Sequence, residues 1–316
     1  MIRPRPSNEF GSSFFTIAKV LAVVDLCGHI GSTVMFKMPL TPFFASFFKD
    51  IQPSYFWSVP YFMTNYLEFV HTMLVMLTAL NRWTALILPI KYEKIWKKLI
   101  WPAIGGSFLV PFCITFQRLA VPTVTLPFSM NSSDSYVFSS EKVDWIPDGI
   151  NALLFALFYI VAGVITILLN ATSCVSLSLA KQNNQPNLHP KSLWQSIQRT
   201  EIGLIIVSFS DMIAMCCMIV IQLTLFWLGI RGLYYDPLYD AMYLQIPWVF
   251  DLQRFIRPFM LLFMSKSMRD AFLSTIYYHP KPTTSITTPA IFIVSSEASF
   301  RKASKISIGL SPIYHS

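Results

Sequence analysis

The sequence predicts an all-α integral membrane protein, a helical bundle with six transmembrane helices, and three observations carry that expectation. Apolar residues make up 54% of the chain and charged residues 13%, where an ordinary soluble domain has roughly 25% charged. The apolar residues fall in runs of about 20 or more, which at about 1.5 Å per helical residue cross a hydrocarbon core of about 30 Å. Lys and Arg gather at alternate ends of those runs, and short basic connections stay on the cytoplasmic side. The formal charge of +8 therefore reads as an orientation signal and not as a nucleic-acid footprint.

Residues 1–13 form a polar cytoplasmic segment with Arg3 and Arg5, without the apolar core and cleavage site of a signal peptide. The first span runs from Phe14 to Phe36, with Asp25 near its middle and His29 one turn on along the same face. Lys37 to Pro60 is rich in Phe, Trp and Pro, but Lys49 and Asp50 interrupt it, so neither half can span and an interfacial loop is expected. The second span, Tyr61 to Arg82, ends in the patch that orients the chain: Arg82, then Lys91, Lys94, Lys97 and Lys98 in a short loop. The third, Leu99 to Val121, holds Pro102 and Pro111, whose freed backbone groups neighbouring helices can satisfy.

Pro122 to Asp148 is a polar exterior loop. Its Asn131-Ser132-Ser133 is an N-glycosylation acceptor, modified only on the lumenal or exterior side, and counting sides from the basic loop puts it there as well. A second match at Asn170 lies within an apolar run and is expected to stay unmodified. The remaining spans are Gly149 to Leu179, Ile202 to Leu228 and Ala241 to Met264, so the bundle covers residues 14–264. Between them lie a cytoplasmic connection with Lys181, Lys191 and Arg199, and an exterior turn around Tyr234, Tyr235, Asp236 and Pro237. Residues 265–279 read as an amphipathic helix on the inner surface and residues 280–316 as a disordered cytoplasmic tail. Outer cations are confined to Lys37, Lys49, Arg118, Lys142 and Arg231, an inner excess of roughly three to one that places both ends inside.

Ionisable groups inside a membrane are costly and each invites an account. Asp25, Asp211 and Asp251 fall near the midplane, with Arg254 one turn inward of Asp251. Asp25, Asp251 and Arg254 can form one polar switch cluster joining an outer cavity to the inner face; alternatively, Asp251 and Arg254 form a local pair that only neutralises itself. Glu68 and His71 lie one turn apart in the outer half of the second span. They can fix a ligand's polar group in an outer cavity, or they can be a bonded pair packed against a neighbouring helix. Trp57, Tyr61, Trp145, Trp227 and Trp248 sit near predicted exterior boundaries, as aromatic-belt anchors do.

Catalysis finds no support. The five histidines are scattered without metal-box spacing, no Gly-rich phosphate loop occurs, and two span aspartates alone do not make a protease. No metal and no cofactor is expected. The five cysteines all lie in apolar runs, so no exterior disulfide framework is expected either. Six spans with midplane charges leave a small transporter or channel as an alternative, although no internal repeat, paired broken helices or filter sequence accompanies them.

Several residues together resemble a seven-helix, rhodopsin-like G-protein-coupled receptor. Leu21-Ala22-Val23-Val24-Asp25 is similar to the second-helix motif, Asn81-Arg82-Trp83 stands where Asp-Arg-Tyr is usual, and Trp101 and Pro258 match fourth- and seventh-helix positions. Asn81-Arg82-Trp83-Thr84, Pro89, and Tyr92-Glu93-Lys94-Ile95-Trp96-Lys97-Lys98 resemble more closely the nematode serpentine receptors of class gamma, with Ser13-Phe14-Phe15 like the start of their second helix. The resemblance covers roughly residues 12–278 and implies a chemosensory receptor of the plasma membrane that binds a small molecule in the outer half of its bundle. It implies signalling through a cytoplasmic heterotrimeric G protein contacted by Arg82, Tyr92 and Lys94. It also implies that the family's first helix is missing, so that a receptor remnant that does not signal is a further alternative. The cysteine pair of the usual disulfide and the Trp-x-Pro of the sixth helix are absent.

Overall fold

In the computed structural model the described residues are 13–128, 134–143, 149–183, 191–264, 269 and 273. Asn131 and Trp145, and the expected inner-surface helix and tail apart from 269 and 273, lie outside them. The long helices are α1 (Ser13–Ser32), α3 (Tyr55–Ile87), α4 (Pro89–Thr115), α5 (Ile150–Asn183), α6 (Lys191–Ile230) and α7 (Pro237–Met264), with a short α2 (Ala45–Lys49). Their order follows the six predicted spans. Four stretches, Ser13–Lys37, Pro89–Ala120, Ile150–Ser176 and Ile206–Ile230, are long and apolar enough to cross a membrane by themselves.

Helices α3 and α7 are long enough but more polar, and packing explains the difference. Helix α3 touches α1, α4 and α5, so its faces meet protein and carry Asn65, Glu68, His71, Asn81 and Arg82 in buried positions. The lipid-ready surface lies on the other helices, as exposed stripes such as Val23, Leu26 and Ile30 on α1 and Leu157, Val161, Val164 and Leu168 on α5. Around α3 the buried side chains form two clusters. Ile17, Leu21, Val70, Leu74, Trp96 and Ile100 join α1, α3 and α4 towards the basic end, while Phe69, Phe155, Met218, Leu225 and Phe250 fill the space between α3, α5, α6 and α7.

Helix ends depart from the apolar boundaries in several places. The expected basic loop is helical: Leu88 is both the last cap of α3 and the first of α4, Pro89 takes the first helical position, and Lys91, Lys94, Lys97 and Lys98 are exposed on the opening turns of α4. Helices α5 and α6 likewise continue into the expected polar connection, because a helix stops at a breaker and not at the lipid boundary. Gly232, at φ +71°, closes α6: its N–H donates to the Gly229 carbonyl at 3.0 Å and that of Leu233 to the Leu228 carbonyl at 3.0 Å.

The π-helical turn Thr33–Lys37 closes the expected first span, and the expected interfacial loop after it includes α2 before Ser54 caps α3 by accepting from the Phe56 N–H at 3.1 Å. The expected exterior loop contains an antiparallel hairpin, β1 (Thr123–Pro127) with β2 (Tyr136–Ser140), Thr123 opposite Ser140 and Pro127 opposite Tyr136. The hairpin is fastened at both edges. Ser54 and Thr123 exchange backbone hydrogen bonds at 3.1 and 3.2 Å, and the Tyr136 N–H donates to the Pro39 carbonyl at 2.9 Å. Phe138 then packs on Phe48 and Trp57, with ring centroids 5.6 and 5.3 Å away, so Trp57 also contacts the hairpin.

Candidate functional site

Below the hairpin lies a cavity of about 520 Å³, within the size range of small-molecule sites. Strand alternation turns Val124 and Leu126 of β1 to it, and α5 and α6 add Asn151, Phe155 and Gln222. On α7 the lining residues Tyr239, Tyr243, Ile246 and Phe250 recur at helical spacing, and on α3 Tyr61 and Asn65 do the same. Tyr61 is thus a cavity wall. Asn65 donates to the Tyr61 carbonyl at 2.7 Å, leaving its side-chain oxygen unused by that bond.

One more turn along each of these two faces stand Glu68 and Arg254, which form an ion pair with 1% and 4% of the two side chains exposed. Phe250 joins the levels, since its ring in the cavity lies 5.5 Å from the Arg254 guanidinium carbon. Asp25 also acts electrostatically on Arg254, while its carboxylate bonds His71 Nδ1 at 2.5 Å. Glu68, His71 and Arg254, all buried, and the half-buried Asp25 are therefore one network from α1, α3 and α7, each charge set near an opposite one. Glu68 and His71 do not line the cavity; they lie beneath its floor.

Asp251 is separate from this network. Its carboxylate meets His29 Nδ1 at 3.0 Å and the Lys37 ammonium, so the expected trio of Asp25, Asp251 and Arg254 is divided between two sites. Neither is Asp251 paired with Arg254. The π-helical turn explains the regrouping: it ends on Lys37 and brings that cation back to α7.

Two glycines of α1 let side chains of its neighbours close on its backbone. A Cβ on Gly28 would sit 2.8 Å from Arg254 Nη2, and one on Gly31 would sit 2.8 Å from Thr64 Oγ1. Gly28→Ala is expected to destabilise the protein by about 1–3 kcal/mol, because the added carbon would have to displace a guanidinium that Glu68 holds in place, read as a lower thermal midpoint in nanodiscs. Gly163→Ala, with nothing within 4 Å of the added carbon, should leave the midpoint unchanged or slightly higher, since Ala is the better helix former within α5.

At the basic end Arg82 is buried, not extended to the interface, and its Nη1 donates to Ser208 Oγ of α6 at 2.9 Å. Beside it a three-membered ring of hydrogen bonds ties α1, α3 and α4. Asn81 Nδ2 donates to Ser13 Oγ at 2.8 Å and Tyr92 donates to Asn81 Oδ1 at 3.0 Å. That leaves the Ser13 hydroxyl proton for Tyr92 at 2.7 Å. Trp96 extends the junction by donating to Thr84 Oγ1 at 2.7 Å. Tyr92 is thus engaged inside the bundle, while Lys94 is exposed.

Arg118 is a site residue that charge counting alone does not single out. By sequence it falls among the outer cations, yet it is 6% exposed, lines the cavity and lies over the Tyr61 and Phe155 rings at 5.1 and 5.7 Å. Its position just inside the end of an apolar run, rather than beyond it, is the signal that sets it apart. Among the described residues no group of three or more His, Cys, Asp or Glu could hold a metal ion.

Comparison with known proteins gives a consistent family. A family model described as Srg family chemoreceptor matches residues 1–272. The chain is similar to serpentine receptor class gamma-16 of Caenorhabditis elegans, 26% identical over 226 residues, 70% of this chain and 66% of that one. It is also similar to class gamma-14 of the same organism, 25% identical over 166 residues, 50% of this chain and 49% of that one. The matched stretch thus spans about half the length of the latter relative.

Proposed function

Because the chain belongs to the Srg family of chemoreceptors, a serpentine family of multi-pass membrane receptors and not of enzymes, we propose that it binds a small molecule beneath the hairpin and reports this to a cytoplasmic G protein. The observation that carries the reading is the continuity of one α7 face, on which Tyr243, Ile246 and Phe250 line the cavity and Arg254 meets Glu68 one turn further on. A ligand that presses on Phe250 alters the environment of a buried ion pair. It therefore has different affinities for helix arrangements that keep or strain that pair, which is the requirement for a population shift. Arg82, Tyr92 and Lys94 are the proposed G-protein contacts, with Arg82 held by Ser208 until α3 and α6 separate.

The test uses membranes holding the full chain and a heterotrimeric G protein, screened with a small-molecule library. At least one compound should raise guanine-nucleotide exchange, and Ala152→Phe, which adds a ring to the cavity wall, should abolish the response at normal surface delivery. Solute flux in proteoliposomes without any effect on nucleotide exchange would instead favour a transporter.

A further inference from the structure

Two buried hydrogen-bond donors of the cavity wall find no acceptor among the described residues. Arg118 Nη1 and Tyr243 Oη are both buried without a hydrogen-bond partner among the described residues, and both side chains line the cavity. They come from different elements, the 3₁₀ segment Phe116–Ala120 and α7, and interact electrostatically with each other. Aromatic faces steady the Arg118 cation but cannot accept its in-plane N–H groups as an oxygen would. No described carboxylate lies within ion-pair distance: Asp240 also lines the cavity but is not paired with Arg118, and Glu141 and Lys142 of the lining are exposed beyond β2.

A buried guanidinium with an idle donor costs free energy unless something supplies an acceptor and a countercharge. We infer that the ligand of this cavity is an amphipathic organic acid whose carboxylate docks on Arg118 and Tyr243. Two acceptor oxygens match two donors, and an Arg–carboxylate contact is charge-assisted. Phe36, Phe155 and Phe250 give the remainder of the ligand an apolar bed. This deepens the receptor reading and rests on the cavity being its ligand site. The competing account is a bound water: a gap of about 10 Å³ beside Arg118, also lined by Thr115 and Asn151, has room for at most one.

The experiment measures binding to the full chain in nanodiscs, from the dependence of the thermal midpoint on probe concentration. The probes are 3-phenylpropanoate and indole-3-acetate, each compared with its primary amide. At least one acid should bind about tenfold or more tightly than its amide. Arg118→Gln should erase that preference while keeping amide binding, Arg118→Lys should keep part of it, and Tyr243→Phe should reduce it. Equal binding of acid and amide, or no binding of either acid at millimolar concentration, overturns the inference without needing any variant to fold. So does a preference that survives in Arg118→Gln. Because binding is read without G protein, acid preference in a chain that never promotes nucleotide exchange leaves this inference standing and removes the signalling reading alone.

Discussion

Glu68→Ala is expected to be among the most damaging single changes in the bundle. The substitution leaves the Arg254 cation 4% exposed without its carboxylate, and breaking a buried pair from one side costs about 3–5 kcal/mol. That is a large share of a membrane domain's margin, so cell-surface delivery should fall sharply and the thermal midpoint of the remaining protein should drop. Glu68→Leu combined with Arg254→Met should recover most of the loss, because a buried pair replaced by apolar groups of similar size is often near neutral. The rescue separates two roles. If the pair is also the coupling element, the double variant reaches the surface and binds ligand but no longer changes nucleotide exchange. A single Glu68→Ala variant with wild-type stability would mean that the ion pair does not hold these helices.

Arg82 should give the opposite pattern, a large functional effect with a smaller structural one. Arg82→Ala is expected to abolish ligand-stimulated nucleotide exchange, since the proposed contact to the G protein is lost with the guanidinium. Ser208→Ala removes one acceptor of the Arg82 side chain. A hydrogen bond to a charged group contributes about 1.5–3 kcal/mol, which, acting only in the resting arrangement, shifts that equilibrium by roughly tenfold or more. Basal exchange without ligand should therefore rise in Ser208→Ala. Unchanged basal exchange would show that this bond does not select between arrangements.

Much of the bundle was legible in the sequence because lipid imposes a simple rule on composition. The order of the long apolar runs gave the order of α1 and α3 to α7, and Asn81-Arg82-Trp83-Thr84 with the Tyr92–Lys98 stretch carried a class gamma resemblance that agrees with the family match over residues 1–272. Partnerships were less legible, since they depend on how neighbouring helices rotate against each other. Asp25, Glu68, His71, Asp251 and Arg254 were all recognisable as intramembrane polar groups, yet spacing along one chain could not show that Asp25 takes His71 while Asp251 takes His29 and Lys37. The hairpin was hidden by its polar setting, although Thr123-Val124-Thr125-Leu126 has the alternation of a strand. Charge dominates the stretch after Leu88 and masks the helical spacing of Tyr92, Ile95, Trp96 and Ile100.

The single residue between α3 and α4 has a mechanical consequence. With Leu88 capping both helices and the Ser13–Asn81–Tyr92 ring clasping the corner, the two helices are geared to one another. A tilt of α3 would therefore carry the lysine-bearing turns of α4 with it. A cytosolic partner would meet a preformed cationic ridge instead of a floppy tether, and would lose little conformational freedom on docking there.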